Sequence, residues 1–341
     1  MASRRRHAVS SVARVQSTPR SLRPGLATPG RHHGQERVRS WPLRDRIGYV
    51  AAWGAGLGLI AIAGTIVAYM AYRGIEYFDL GLFFESPSSS LSQAHSGGFK
   101  DPLIGTGMLL VMSTAIAAPL GVTIAVWLTE YGRPYALARA VESAVEVVAG
   151  TPSIVLAMFG LVFFQQQWIS FLTFSAEGSG VVLGRSFIAA AAMMSLIALP
   201  LVVGATREAL NAIPGHVREA SYALGKTRAA TIRRVLLPAA RPGIGTGAAL
   251  GMGRVAGDTA IVVVLLGATL QIQNGGGGDV FGLFRGLGST LTSYVYLNSP
   301  AGEGLAPEKA YFAAFVLMLV VIVLNFLVTR IARGKEPAWT R

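Results

Sequence analysis

The apolar residues of this chain are gathered into long runs, and that grouping limits its fold more than any single motif does. Six runs of about 19 to 27 residues lie at about 47–72, 103–129, 142–167, 186–206, 242–267 and 311–330, and each is long enough to cross a ~30 Å hydrocarbon core as a helix. Composition agrees: 52% of residues are hydrophobic and 14% charged, against about 25% charged in a typical soluble domain. These features weigh against a soluble enzyme. The chain has no cysteine, so disulfides, thiolate metal sites, iron-sulfur clusters and a cysteine nucleophile are excluded. The expected fold class is all-α integral membrane, with six transmembrane helices.

The formal net charge of +13 would suggest nucleic acid in a soluble protein, but here the basic residues sort by topology. Residues 1–46 carry eleven arginines and no apolar run, which reads as a disordered cytoplasmic tail before a first helix, not a nucleic-acid arm. It is not a cleavable signal, because the first apolar stretch begins only near Ile47 and is too long. The loop after the second run has Arg133 and Arg139, the segment between the fourth and fifth has seven Lys and Arg, and the end from Arg330 has four. The alternate connections hold only Arg73, Lys100, Arg185, Arg285 and Lys309. Basic residues favour the cytoplasmic side in short loops, so both termini are expected in the cytoplasm. The parts are then a tail (1–46), a first span (47–72), an outer loop (73–102), a core (103–334) and a short tail (335–341). In the outer loop at 268–310, Gly275 to Gly278 read as a flexible turn, and 280–297 as a partial or re-entrant helix.

Within the spans, Gly150, Thr151, Pro152 and Ser153 interrupt the third run and Pro200 the fourth, so kinks are expected where proline removes a donor. The cytoplasmic segment 207–241 is patterned, unlike a plain loop. Pro214 suits a first helical turn, Val217, Ala220 and Leu224 share a face, and Gly225 suits a stop. A second apolar stripe follows at Ala229, Ile232, Val235 and Leu236, leaving Arg228, Arg233 and Arg234 for headgroups or a partner; Pro238 and Pro242 are expected to end this helix and start the next. The expected element is a helix, a glycine turn and a helix on the inner face of the bilayer. Ala220 to Thr227 reads A-S-Y-A-L-G-K-T, but it lacks the first glycine and the preceding strand of a phosphate-binding loop.

The residues Glu219, Ala220, Ser221, three more, Gly225, nine more, Val235, one more, Leu237 and Pro238 resemble the coupling motif of ABC-importer permeases, Glu-Ala-Ala-x3-Gly-x9-Ile-x-Leu-Pro. Ser221 stands for the second alanine and Val235 for isoleucine. The resemblance implies the type I importer permease fold and a hairpin that docks on a separate ATPase. It also implies no cofactor on this chain, with ATP and Mg held by that partner.

The fifth run holds Gly253, Arg254, Val255, Ala256, Gly257, Asp258, Thr259 and Ala260, two ionisable groups in an apolar helix. Each costs about 2.5 to 3.5 kcal/mol if isolated at the bilayer centre, so both should face protein or water. At i, i+4 they are expected to neutralise each other. Gly243, Gly247, Gly251, Arg254 and Asp258 fall within an arc of about 80°, a stripe that lets another helix approach closely. Two readings stay open: a buried pair that fixes packing, or an arginine fork for a dehydrated oxyanion with Asp258 as its resting partner.

The stretch Gly253 to Ala260 resembles the Gly-Arg-Ala-x-Gly-Glu-Thr-Ala segment of phosphate permeases. Gly97-Gly98-Phe99 with Ile104-Gly105-Thr106, Ala118 to Gly132 ending in Thr-Glu-Tyr-Gly, and Ala149 to Val155 look like that family too. The likeness covers about 47–333 and favours the A subunit over the C subunit. Asp258 stands where the family has Glu, and Ile261 where it often has Pro. The resemblance implies Arg254, Asp258 and Thr259 in the substrate pathway and inward movement of inorganic phosphate. The implied partners are a paralogous C-type permease, an ATPase dimer, an extracytoplasmic phosphate-binding protein and the lipid of a bacterial inner membrane, with no nucleic acid.

Three rival readings are weaker. For an embedded enzyme, His7, His32, His33, His95 and His216 all lie outside the runs, and Glu142 with Glu146 read as markers of a helix N-terminus. A secondary transporter or channel leaves the segment 207–241 without a purpose. An importer of sulfate, molybdate or phosphonate stays open, since an arginine selects an anion and not which one.

Overall fold

The computed structural model describes residues 42–76, 78–87, 97–174, 183–267, 269–275, 280–299 and 307–332. Most of the basic tail, the short C-terminal tail, His95 and Gly276 to Gly278 lie outside the described residues. Among those described, the elements are helical, with one isolated bridge between Gln273 and Leu287. Two compact units meet in sequence at Ile62 and Ala63. Helix α1 (Leu43–Ile75) begins inside the segment expected to be tail. In its first part Tyr49 meets Trp53 edge-on at 6.3 Å, and Ile47, Val50, Leu57 and Ile60 are exposed.

In the second unit α2 (Lys100–Val126) runs into a π-turn at Trp127–Tyr131. The third span is broken, not merely kinked: α3 (Tyr135–Gly150) and α4 (Ser153–Phe164) meet at 107°. A residue before proline is pushed out of the helical region, and Thr151 accordingly sits at φ −77°, ψ 130°, its hydroxyl donating to the Val147 carbonyl at 2.7 Å. Helix α3 starts at Tyr135 rather than 142. This places Glu142 two turns inside it and overturns the reading of that residue as an N-terminal marker.

Helix α5 (Phe187–Asn211) continues through Pro200, and Ser186 caps its start by accepting from the Ala189 amide. Then come α6 (Gly215–Ala223), α7 (Arg228–Thr231), a π-turn at Ile232–Leu236 and α8 (Leu237–Ala256). The two prolines do not separate a hairpin helix from a span, as the sequence suggested: Arg228–Ala256 is one helix. The Leu237 amide donates to the Ile232 carbonyl, one residue further back than in an α-turn. The wide turn falls just before Pro238, whose ring would strike the Arg234 carbonyl in an unbroken α-helix. The fifth span then bends by 67° into α9 (Ala260–Leu266).

The segment expected to be an outer loop forms two short helices, α10 (Val280–Arg285) and α11 (Leu291–Asn298), in place of one partial helix. The last span is α12 (Pro307–Ala332). Among the described residues four helices are long and apolar enough to span on their own, and with each bent pair taken as one more span there are six.

Helix α5 is the centre of the core, with Ala189, Ala190, Ala191, Met194 and Ala198 buried among α2, α4, α8 and α9. Small residues set its distance from α8. A side chain at Gly247 would lie 3.1 Å from the Ala205 methyl, one at Gly251 3.3 Å from Ala198, and one at Gly243 would strike Ala209. Without a hydrophobic drive between helices in lipid, such close backbone contact is what holds them. Near the start of α2, Phe83, Phe99, Tyr294 and Phe312 pack as an aromatic group around α11, and Thr106 accepts from the Leu291 amide at 2.8 Å.

Candidate functional site: the glycine hairpin and the broken fifth span

The hairpin turns where an L-residue other than glycine would be strained. Gly225 has φ +73°; its amide donates to Tyr222 and the next amide, of Lys226, to Ser221. This pair of bonds closes a helix end while redirecting the chain. Thr227 then caps α7 by accepting from Ala230, and the hydroxyls of Ser221 and Thr231 meet at 2.8 Å, tying the two arms together.

Of the face expected to pack, Val217 does so, against the cluster beneath, while Ala220 and Leu224 do not. Leu224 is 79% exposed, and Glu219, Ala220, Tyr222 and Gly225 are exposed with it, forming a knob, while Ser221 is buried and Val217 half-buried. Beneath lie Leu210, Ile213, Ile232, Leu236 and Ala240. Of the remaining motif residues, Val235 and Leu237 are half-buried and Pro238 is exposed.

Sequence reasoning passed over the polar contacts under the knob. Arg218 donates from Nε and Nη2 to Glu130 Oε1 at 3.0 and 2.9 Å, from Nη1 to the Ile213 carbonyl at 2.8 Å, and from Nη2 to Leu210 at 2.9 Å. Glu130 sits on the α2 π-turn, 6% exposed. Arg228, expected to reach headgroups or a partner, lies over the Tyr131 ring at 5.1 Å. Glu142 takes a bond from Arg207 at 2.6 Å at a half-exposed position. Two signals pointed to Glu130: it is a lone carboxylate ending an apolar run, and it lies in the Thr-Glu-Tyr-Gly ending of a segment that resembles the phosphate permeases.

The second place of interest is the break between α8 and α9. Arg254 and Asp258 do not pair: the ion pairs among the described residues are Arg207–Glu142 and Arg218–Glu130. The helix ends at Ala256, so the 100° per residue that would align the two stops short of Asp258. Buried Asp258 instead accepts from the Ile261 amide at 3.0 Å, satisfying a free donor at the start of α9. Aspartate is a preferred residue for such a bond. Thr292 of α11 donates to the Ala256 carbonyl at 2.8 Å, covering the other end of the break. Thr259 is half-buried in it, and Arg254 is exposed on α8.

The family model described as "Binding-protein-dependent transport system inner membrane component" matches residues 117–340, which contain both places. The chain belongs to this family. The phosphate transport system permease protein PstA 1 of Mycobacterium tuberculosis (strain CDC 1551 / Oshkosh) is 35% identical over 245 residues, 72% of this chain and 74% of its own. PstA of Mycobacterium leprae (strain TN) is 34% identical over 278 residues, 79% of this chain and 84% of its own. The solved structure of a bacterial ABC transporter involved in import of the acidic polysaccharide alginate shares the fold, with a TM-score of 0.56 at 15% identity over 86% of this chain and 97% of that one. This chain is thus an all-α, multi-pass membrane transport component of the ABC-importer permease class.

Proposed function

We propose that this chain is one of two related permease subunits of an ATP-driven importer of inorganic phosphate, with an ATPase dimer on its inner face and an extracytoplasmic phosphate-binding protein outside. One observation carries the reading: an exposed knob, Tyr222 to Gly225, ends a hairpin whose second arm is continuous with a membrane span. An ATPase that grips the knob displaces a single helix, Arg228–Ala256, of roughly 43 Å at 1.5 Å per residue. That helix ends at the Gly257–Thr259 break, so work done at the inner surface arrives next to Arg254. Phosphate as the solute is supported by the relatives at 34–35% identity named for phosphate transport.

The chemistry asked of the site is modest. Arg254 offers a planar fork to a dehydrated oxyanion. Asp258, engaged with α9, fixes the break instead of neutralising the arginine. Both termini lie in the cytoplasm in this reading, following the basic residues. ATP and Mg are held by the partner ATPase.

Reconstitution in proteoliposomes tests the whole. Uptake of phosphate is expected only when this chain, a second permease, the ATPase, the binding protein and ATP are all present, and excess sulfate should not compete. Arg254→Gln should abolish uptake while the complex still assembles. Accumulation of phosphate by this chain alone sinks the reading, and preferential uptake of sulfate moves the solute.

A further inference from the structure

A lever transmits displacement only if it is fixed to what it moves. The link between α5 and α6 is short, Ala212 to Pro214, and is held by few main-chain bonds, with Ala212 donating to Glu208 and Ile213 to Leu210. Alone, it would let α6 swivel at the end of α5. The side chain that spans it is Arg218, which takes the Leu210 carbonyl at the end of α5 and the Ile213 carbonyl of the link on one side, and the Glu130 carboxylate of the π-turn after α2 on the other. The second arm of the hairpin reaches the same π-turn, through Arg228 over Tyr131. Both arms are thus tied by cationic side chains to one five-residue turn, Trp127–Tyr131, at the inner end of α2.

Resting on the importer reading above, we propose that Glu130 and Arg218 are positioning residues of the coupling step. They clamp the hairpin to α2 and α5, so that a push on the knob moves three helices as one body. The geometry calls for this pair of residue types. A guanidinium presents five donors in a planar fork, and Arg218 uses three nitrogens on three acceptors; a lysine ammonium is a single point and cannot reach all three. The carboxylate is 6% exposed, so water does not compete for it.

The test uses the assembled complex with Glu130→Gln and Arg218→Lys. Both variants should still co-purify with the ATPase and hydrolyse ATP, while phosphate taken up per ATP falls at least tenfold. Arg228→Gln, at an exposed position, should lower the same ratio about twofold. A structural cap on α5 would lower yield and leave this ratio alone. Unchanged uptake per ATP in the two variants overturns the proposal, and so does loss of ATPase co-purification from Glu130→Gln. A second readout needs no solute. The chain has no cysteine, so spin labels on Arg133→Cys and Ala229→Cys report the separation of the α2 end from the hairpin. In the wild-type complex one narrow distance should persist with and without ATP, and in Glu130→Gln it should broaden. A wild-type distance that changes with nucleotide overturns the clamp even where phosphate proves to be the wrong solute, and wild-type failure of uptake with a constant distance overturns only the solute reading.

Discussion

The two ends of the bundle, outer and inner in the importer reading proposed above, are held together by different physics. At the outer end, Phe83, Phe99, Tyr294 and Phe312 meet edge-on or tilted, with centroids 5.2 to 6.2 Å apart, and Phe99 has no exposed surface. At the inner end, Arg218, Glu130, Arg228, Tyr131 and the Ser221–Thr231 hydroxyls form directed contacts around a knob that is itself exposed. Ring packing depends on filled volume and is lost when a side chain shrinks or a backbone is pushed away. A charge-assisted fork depends on direction and keeps the angle between the elements it joins. On the coupling reading proposed above, the outer end stays close-packed while the inner end passes on motion without bending. Substitutions at the two ends should therefore separate stability from coupling.

The largest effect should come from the outer end. A side chain at Gly105 would strike the Ser289 carbonyl, which is backbone and cannot step aside, so Gly105→Val should remove folded protein from the membrane, measured as yield in a detergent extract. Phe99→Ala should cost about 3–5 kcal/mol, the range for a fully buried aromatic, seen as a lower melting midpoint. The surviving protein should keep its uptake per ATP. If Phe99→Ala instead uncoupled transport at unchanged stability, the division of labour between the ends would be wrong.

At the inner end Gly225→Ala should have an intermediate effect. No atom lies within 4 Å of the added methyl, so the cost is backbone strain at φ +73°, about 1–2 kcal/mol. Because the strain sits in the turn that presents the knob, it should emerge as roughly tenfold weaker retention of the ATPase, one decade being about 1.4 kcal/mol. Asp258→Ala should cost about 0.5–2 kcal/mol as a lost helix cap, and Asp258→Asn, which still accepts from Ile261, should recover most of it. Recovery by Asn would show that the carboxylate serves α9 and not Arg254.

How much of this could be read in the amino-acid order follows from the range of each interaction. The spans are legible because hydrophobic length is a local property, and the hairpin because a glycine with flanking periodicity is local too. Pro152 disclosed that the third span is interrupted; the 107° angle is set by what α3 and α4 pack against, and is not local. The fifth-span break was hidden because Ile261 stands in place of a proline, leaving a helical periodicity that suggested an Arg254–Asp258 pair. Leu224 looked like a core residue because it shares a face with Val217, yet the turn at Gly225 carries it into the open. The clamp joins residues 88 positions apart, and Glu142 joins Arg207 across 65; nothing in the spacing of a single chain relates such pairs.

The smallest expected change tests whether every polar contact at the inner end carries coupling. Ser221 stands where the permease motif has alanine, and its hydroxyl meets Thr231 in a buried spot between the two arms. Removing it leaves Thr231 with a bond already in place, to the Thr227 carbonyl at 3.1 Å, so no donor is orphaned. A net hydrogen bond is worth about 0.5–1.5 kcal/mol, and Ser221→Ala should fall at or below the lower end of that range, with uptake per ATP unchanged. The arms are joined independently by the turn at Gly225 and by the shared anchor at Trp127–Tyr131, which makes the hydroxyl bridge redundant for direction even though it adds to packing. A loss of coupling from Ser221→Ala comparable to that from Glu130→Gln would mean that stiffness resides within the hairpin itself and not in its attachment to α2 and α5.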